Sequence, residues 1–524
     1  MLAVVSKLSV VCALVAAQFR SLLTLREREP ADRAFAPSDV AQLQRLRCAG
    51  AGANTDAVID DATWKDLTLD AYHARLSDQV SIFGQQALYR RLRAGKGNAD
   101  PDRIEALMAD PQQLDHLHRT CKSLRHAEVE IATLLHEEVA PVRPRWAGHT
   151  WPLMLILAAS IAAAMFSPAS WIVTGIMLYL MIAIQMRYSD RMEAWQQSMN
   201  TLQMLLRVTS LLKGVDANAA GKINRALTRP PIASVPFLRE YIDWFMLGNV
   251  NHYHKGVALV FGNLALLRRC FDQVSNLEAD VALARHLLDT PVFCRAGASS
   301  ASSATLTLSD AVHPLLARAQ PLTLSLKETG AFISGQNGIG KSTLLRTVGL
   351  NLVAARAFGF CYARSAQVPD VPVYTSMQSE DCLDAGESLY MAELRRAQEL
   401  LAAAAGPHPG VYIVDEIFRG TNHMESVSAA AAVLDVLAAQ GTVIVSSHNL
   451  VLAPLLAHRL EPLCVASNAD GRLTLSPGVL AHTNGIALLA QRGFGGDVEA
   501  GAAKVFDWLS QYLSHPADGG KVLA

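Results

Sequence analysis

No Cys-x-x-Cys pair occurs among the eight cysteines of this 524-residue chain. They lie scattered at Cys12, Cys48, Cys121, Cys270, Cys294, Cys361, Cys382 and Cys464. Such spacing indicates no zinc site and no disulfide framework, and it fits a reducing compartment. An excess of either charge is missing as well: 46 Lys and Arg stand against 47 Asp and Glu, a formal net charge of −1. No global field recruits nucleic acid, so any contact with a polyanion must come from a local patch. No internal repeat is seen. Finally, no Asp, Glu, Lys or Arg occurs anywhere from Trp146 to Met186. What the chain has instead is apolar bulk: 51% of residues are hydrophobic, and the mean hydropathy is +0.20. Its length suggests about two to four domains.

The most informative stretch is Gly335-Gln336-Asn337-Gly338-Ile339-Gly340-Lys341-Ser342-Thr343. It follows the apolar run Ala331-Phe332-Ile333-Ser334 and opens the helix-like run Leu344-Leu345-Arg346-Thr347-Val348. Strand, Gly-x4-Gly-Lys-Ser loop, then helix is the recipe for a nucleoside triphosphate. Glycines let backbone N–H groups converge on phosphate oxygens, and the helix N-terminus adds a favourable dipole. This assigns Gly335, Asn337, Gly338, Gly340, Lys341, Ser342 and Thr343 to ATP. Lys341 neutralises the β- and γ-phosphates, and Ser342 ligates Mg²⁺.

A second run, Gly410-Val411-Tyr412-Ile413-Val414-Asp415-Glu416, is β-branched, of the buried type, and ends in two carboxylates. Asp415 is placed to hold Mg²⁺, and Glu416 to orient or deprotonate the attacking water. A third run, Thr442-Val443-Ile444-Val445-Ser446-Ser447-His448, ends in a His that can contact the γ-phosphate. Glu416, His448 and Lys341 are therefore the candidate catalytic residues. The alternative for His448 is a structural strand end. The pair His252 and His254 in Asn251-His252-Tyr253-His254 lacks further ligands nearby and reads as ordinary surface residues.

The uncharged stretch divides into Trp151 to Phe166, the turn Ser167-Pro168-Ala169-Ser170, and Trp171 to Met186. It predicts a two-helix transmembrane hairpin with Trp anchors at the interfaces. Each half is near the short end of the roughly 17–25 residues needed to span. The alternative is a buried hairpin of a soluble domain. Arg143 and Arg145 before it, with Arg187 and Arg191 after it, put both flanks in the cytoplasm. At the N-terminus, Leu8 to Phe19 is apolar and Val15-Ala16-Ala17 resembles a cleavage site. Cleaved export would separate the nucleotide site from ATP, so a short anchor or an interfacial amphipathic segment is expected there.

The chain thus reads as multi-domain. Residues 1–25 form the apolar segment, 26–140 a connector and small helical module, and 146–186 the hairpin. Residues 187–304 form an all-α core or lever region, 305–480 an α/β P-loop ATPase domain, and 481–524 a helical tail. Arg295 to Thr305 reads as a low-complexity linker. Segment 187–230 holds Arg187, Arg191, Arg207, Lys213, Lys222, Arg225 and Arg229 against Asp190, Glu193 and Asp216. Such a basic arm suits nucleic-acid phosphates or anionic lipid.

No Leu-Ser-Gly-Gly-Gln-like signature lies between Ser342 and Val411, which argues against a transporter-type ABC ATPase. Instead Asp415-Glu416-Ile417-Phe418-Arg419-Gly420-Thr421-Asn422 closely resembles the second motif of the MutS family, Asp-Glu followed by x-x-Arg-Gly-Thr. His313-Pro314-Leu315-Leu316 precedes the core as in that family. Ser376-Met377-Gln378-Ser379-Glu380-Asp381 and Gly386-Glu387-Ser388-Leu389-Tyr390-Met391-Ala392-Glu393 resemble its stretch ending Gly-x-Ser-x-Phe-x-x-Glu. Asn484-Gly485-Ile486-Ala487 resembles its C-terminal helical end. The resemblance is strong over 310–515 and weak over 187–300. It implies a homodimer joined through the ATPase domains, with 481–524 as a dimerisation tail. It also implies that Ser388 reaches the γ-phosphate of the opposite subunit and that Thr421 and Asn422 lie at the dimer seam. DNA is the implied partner of the helical arms. Departures exist: no Phe-x-Glu tripeptide occurs, so the mismatch-reading wedge is absent. The apolar hairpin stands where a mismatch-binding domain precedes the core. Segments 57–67 and 81–89 resemble the module before the core in membrane-bound bacterial MutS-like proteins.

The expectation is a membrane-anchored MutS-like ATPase of the inner or plasma membrane. Its ATPase domain faces the cytoplasm, it uses ATP and Mg²⁺, and it couples them to DNA through helical arms. The rival is an ATP-driven membrane switch or scaffold acting on a protein or lipid partner without DNA. A transporter subunit is a third reading, weakened by the missing signature.

Overall fold

The computed structural model describes residues 59–94, 99–136, 144, 150–212, 214–229, 242–243, 247–299, 305–327, 329–377, 389–407, 410–419, 421–468, 473–481, 485 and 496–513. The apolar segment 1–25, the segment 378–388 with Ser388, and Asn484 lie outside the described residues. The chain divides into two compact units. One comprises Met1–Gly50, Ser77–Gln86 and Asp115–Ala279; the other comprises Ala51–Leu76, Ala87–Leu114 and Asp280–Ala524.

The first unit is helical. Its longest element, Ser170–Leu211, has 42 residues, about 63 Å at the helical rise. The C-terminal part of that helix buries Leu202, Leu205, Leu206 and Val208, the spacing of one helical stripe. That stripe packs with Phe83, Leu124, Ile223 and Phe271 in a single apolar cluster. The N-terminal part pairs with the helix Trp151–Ala164, and Ser167-Pro168 separates the two. Between them Thr174 Oγ1 donates to Ser160 Oγ at 3.0 Å.

The expected double crossing is not established by this pair. Among the described residues, Ser170–Leu211 alone is long and apolar enough to cross a membrane. Trp151–Ala164 has 14 residues, about 21 Å against a hydrocarbon core of about 30 Å. His254 also departs from expectation. It is buried, edge-on to Tyr188 and Tyr253, because the helix Gly248–Phe261 turns that face inward.

A buried carboxylate organises part of this unit. Glu278 accepts from Ser81 N–H at 2.9 Å and Gly84 N–H at 3.2 Å, and it also takes the Ser81 hydroxyl. These donors sit at the start of the helix Ile82–Ala94, where backbone N–H groups lack intrahelical partners. Burial pushes the Glu278 carboxyl above its usual range despite these bonds.

The second unit carries the strands. They are β1 Cys294–Ser299, β2 Leu306–Ala311, β3 Leu322–Leu326, β4 Gly330–Gly335, β5 Phe360–Cys361, β6 Ser365–Pro369, β7 Val373–Ser376, β8 Val411–Asp415, β9 Thr442–Ser446, β10 Leu460–Ser467 and β11 Leu473–Pro477. One sheet has the order β3-β2-β6-β1-β5, the other β11-β10-β4-β9-β8-β7. In the second sheet β10, β4, β9, β8 and β7 are parallel, and β11 is antiparallel. Every residue of β4, β8 and β9 is buried, as parallel strands covered on both faces require. The helix Lys341–Phe358 lies on this sheet. At Gly349 an added Cβ would meet Leu67 Cδ2 at 2.6 Å and Ile413 Cδ1 at 3.2 Å.

Arg295–Ser299, expected to begin a linker, lies instead in strand β1, parallel to β6 and antiparallel to β5. Its small residues permit this: a Cβ on Gly297 would lie 3.1 Å from Ala366 O.

A buried chain joins Tyr72, Tyr362 and His286. The two tyrosine hydroxyls lie 2.6 Å apart, and Tyr362 Oη lies 3.0 Å from His286 Nε2. Burial, with Arg75 nearby, pulls the His286 pKa down to about 4. The neutral form is thus the folded form. Its contribution to stability is complete above the unfolded value of about 6.5 and is lost as pH falls toward about 4. Thermal unfolding temperature should fall across that window, and His286→Gln should flatten the fall.

Candidate nucleotide-binding site

Strand β4 ends at Gly335, and the loop 336–340 feeds the helix Lys341–Phe358. Gly338 and Gly340 have φ of +77° and +104°, values that side chains rarely adopt. A Cβ on Gly335 would meet Ile339 Cγ2 and Val465 O, each at 3.2 Å. The three glycines therefore keep the loop tight and its backbone available for close approach. Gln336, Asn337 and Gly338 are exposed, and Ser342 is half-buried at the first turn. Thr343 is exposed. Asn337 Nδ2 lies 3.7 Å from the Cβ position of Gly485, which places that tail residue beside the loop.

Lys341 is buried, and its Nζ donates to Gly335 O at 3.0 Å and Gln336 O at 3.2 Å. Burial lowers its pKa, while Asp415 and Glu416 act in the opposite direction. The ammonium thus rests on carbonyls of the same loop that would receive phosphate.

Asp415 and Glu416 stand at the end of β8, beside β9. Asp415 is buried and accepts from Ser446 Oγ at 2.5 Å. At Glu416 the backbone turns left-handed, φ +55°, as it does again at Phe418, φ +58°. Such strain in non-glycine residues persists only where surrounding contacts hold it. Here Glu416 N–H donates to Ser446 O at 2.9 Å. Its carboxylate meets His448 Nε2 at 2.8 Å and Arg419 Nε at 3.5 Å. The hydrogen bond from His448 holds its pKa below the usual range, against burial, with His448, Arg419 and Lys341 charges adding to the effect.

The sequence-derived residues Gly335, Gly338, Gly340, Lys341, Ser342, Asp415, Glu416 and His448 are thus brought to the ends of β4, β9 and β8, at the C-terminal edge of a parallel sheet. Open α/β sheets take ligands at that edge. Thr421 donates to Glu425 Oε2 at 2.8 Å, and Asn422 caps the helix His423–Gln440 by accepting Glu425 N–H at 3.0 Å. A cavity of about 260 Å³ lies beside them, lined by Glu416, Arg419, Thr421, His423, His448 and Asn449 among others.

Three residues were missed in the sequence. Ser446 holds Asp415. Arg419 contacts Glu416, and Glu393 in turn accepts Arg419 N–H at 2.8 Å. The signal for Arg419 and Glu393 was present, since each is a fixed position of the motifs quoted above. Among the described residues no group of three or more His, Cys, Asp or Glu side chains could hold a metal. Mg²⁺ at a nucleotide is commonly held by one or two protein oxygens together with phosphate oxygens. Asp415 and Ser342 fit that role.

Replacing Gly340 by Ala forces a side chain to φ +104°. It should cost about 1–3 kcal/mol of stability, measured by denaturant unfolding.

Comparison with known proteins agrees with this geometry. A family model described as MutS domain V matches residues 331–472. The DNA mismatch repair protein MutS of Salinibacter ruber is 31% identical over 201 residues, 36% of this chain and 22% of the relative. That of Thermus aquaticus is 29% identical, over 36% of this chain and 24% of the relative. Endonuclease MutS2 of Gemmatimonas aurantiaca is 26% identical, over 40% and 26%. The match therefore spans about a quarter of the length of these curated relatives. The family-model match covers the phosphate-loop residues Gly335 to Thr343, both carboxylates and His448, so residues 331–472 of this chain are a MutS domain V.

Proposed function

We propose that this chain is a membrane-anchored MutS-type ATPase that binds and hydrolyses ATP as a homodimer and couples it to DNA binding by its helical region. The observation that carries the reading is the joint placement of the glycine loop, Lys341, Asp415 and the Glu416–His448 pair at one sheet edge. Lys341 neutralises the β- and γ-phosphates, and backbone N–H groups of 336–340 cradle them. Ser342 and Asp415 hold Mg²⁺, which supplies charge neutralisation on the phosphates. Glu416, kept ionised by His448, orients the attacking water. Ser388 of the opposite subunit completes the site, and Thr421 lies at the seam.

Membrane attachment rests on a separate feature. Between Trp151 and Met186 large apolar side chains face outward; Phe166 is 91% exposed and Tyr179 75%. A soluble surface rarely keeps such a contiguous patch in water. Arg187 and Arg191 are exposed directly after it, where cationic side chains meet lipid headgroups. With basic residues on both flanks of the apolar pair, our reading puts the ATPase domain on the cytoplasmic side of the inner or plasma membrane. The same feature, with the missing Phe-x-Glu wedge, favours a second reading: a membrane switch acting on protein or lipid without DNA.

The deciding experiment is the ATPase rate of detergent-solubilised full-length protein, with and without duplex, mismatched and branched DNA. Lys341→Ala serves as the blank. Stimulation by any DNA at moderate salt supports coupling to DNA; a rate indifferent to every DNA leaves the switch. Glu416→Ala should bind ATP and lose turnover by about 100-fold or more; retained turnover removes Glu416 from the mechanism. Removing His448 deletes the main influence lowering the Glu416 pKa and leaves burial, which raises it, against the smaller effects of the Arg419 and Lys341 charges. In His448→Ala the acid limb of the residual rate should therefore move to higher pH.

A further inference from the structure

Strand β7 is the outer strand of its sheet beside β8, and an edge strand presents unpaired N–H and C=O groups. Side chains of the short helix Asp61–Asp66 take those groups. Thr375 N–H donates to Thr63 Oγ1 at 3.0 Å, and Thr375 Oγ1 donates to Asp66 Oδ2 at 2.7 Å. Met377 N–H donates to the same Asp66 oxygen at 2.9 Å. Met377 immediately precedes the segment 378–388 that carries Ser388.

The helix Leu389–Ala404, which follows that segment, is held by the same short helix. Arg396 donates from Nε and Nη2 to Thr375 O at 2.9 and 2.6 Å, and Nη2 meets Asp60 Oδ2 at 3.1 Å. Arg396 is 13% exposed, so these bonds are made largely out of water. From the same helix Glu393 grips Arg419, which contacts Glu416, and Tyr390 packs edge-on to Phe418 at 6.1 Å. A further tie reaches the phosphate-loop helix: Arg346 Nε donates to Asp66 O at 3.0 Å.

We infer that Asp66, Asp60 and Arg396 are positioning residues for nucleotide turnover. Asp66 fixes the end of β7 at Thr375 and Met377, and Asp60 with Arg396 ties that strand end to the helix that braces Arg419 and Glu416. None of these side chains belongs to the phosphate loop or lines the cavity beside Glu416. They act by setting where Glu416 stands, and small misplacements of reacting groups are costly to rate. The inference rests on the ATPase reading above.

The test compares full-length wild type, Asp66→Ala, Asp66→Asn and Asp60→Ser for kcat, KM for ATP and thermal unfolding. Asn keeps an oxygen able to accept from both Thr375 and Met377. Ser keeps the helix cap on Thr63 N–H but is too short for Arg396. Asp66→Ala and Asp60→Ser should lower kcat roughly tenfold with KM within about threefold of wild type, and Asp66→Asn should restore most of the rate. If Asp66→Ala does not fold, Asp60→Ser carries the test alone, because Asp60 is partly exposed. A folded Asp60→Ser or Asp66→Ala with wild-type kcat overturns the positioning role while leaving the ATPase reading intact. Wild type without Lys341-dependent turnover overturns both.

Discussion

Two adjacent carboxylates, Asp415 at the end of β8 and Glu416 just beyond it, meet different partners because the backbone changes hand between them. In a continuing strand Asp415 and Glu416 would point to opposite faces. Instead β8 ends at Asp415, and Glu416 enters the left-handed region while its N–H still pairs with Ser446 O. Asp415 therefore stays buried against the Ser446 hydroxyl, and Glu416 reaches His448 and Arg419. The rest of the second unit can be read as what holds this turn. β9 supplies Ser446 and His448, the helix Leu389–Ala404 braces Phe418 and Arg419, and the glycine loop of β4 stands on the other side of β9. Strain of this kind is a local cost that only the surrounding contacts can sustain.

Much of this was legible in the sequence because buried parallel strands and phosphate loops have strong local signatures. Ala331–Ser334, Val411–Val414 and Thr442–Ser446 read as strands from their apolar, β-branched runs, and they are β4, β8 and β9. What was not legible depends on partners distant in sequence. Nothing around Asp66 announces that it will accept Met377 N–H from more than three hundred residues away. β1 looked like a linker because Gly, Ala and Ser carry no strand signal; its pairing with β6 is decided by close approach. His254 read as a surface residue because no further ligands lie near it in sequence, yet helical spacing turns it toward Tyr188. The uncharged stretch marked the apolar pair of helices correctly. It did not reveal that the second runs on unbroken to Leu211, since no residue there breaks a helix.

The segments resembling a membrane-bound branch gain a physical meaning of their own. Ser81 and Gly84 begin a helix whose free N–H groups receive the Glu278 carboxylate. A Cβ at Gly84 would meet Val80 Cγ1 at 2.4 Å and Glu278 Cγ at 2.9 Å. Glycine is therefore required by the carboxylate, and the carboxylate by the helix end. Losing one partner would leave buried polar groups unsatisfied, at about 1–3 kcal/mol each. Likewise Ala57–Leu67 contributes Thr63, Asp66 and Leu67 to the ATPase sheet and its helix. These stretches are conformational parts of the two units, so their resemblance bears on architecture before it bears on chemistry.

Charge sets a limit on how such a chain can hold DNA. Arg229 is committed to Asp243 at 2.8 Å, and among the described residues of 201–229 this leaves Arg207, Lys222 and Arg225 exposed. Each phosphate contact adds about −0.9 to the slope of log affinity against log salt. Three contacts give a slope of about −2.7, a weak and sequence-indifferent grip. With a net charge of −1 no wider field compensates. Two copies would double the count to about six and the slope to about −5.4. On the proposed reading, DNA binding would therefore call for a dimer. ATP, were it to join two ATPase domains, would set the number of basic arms presented together.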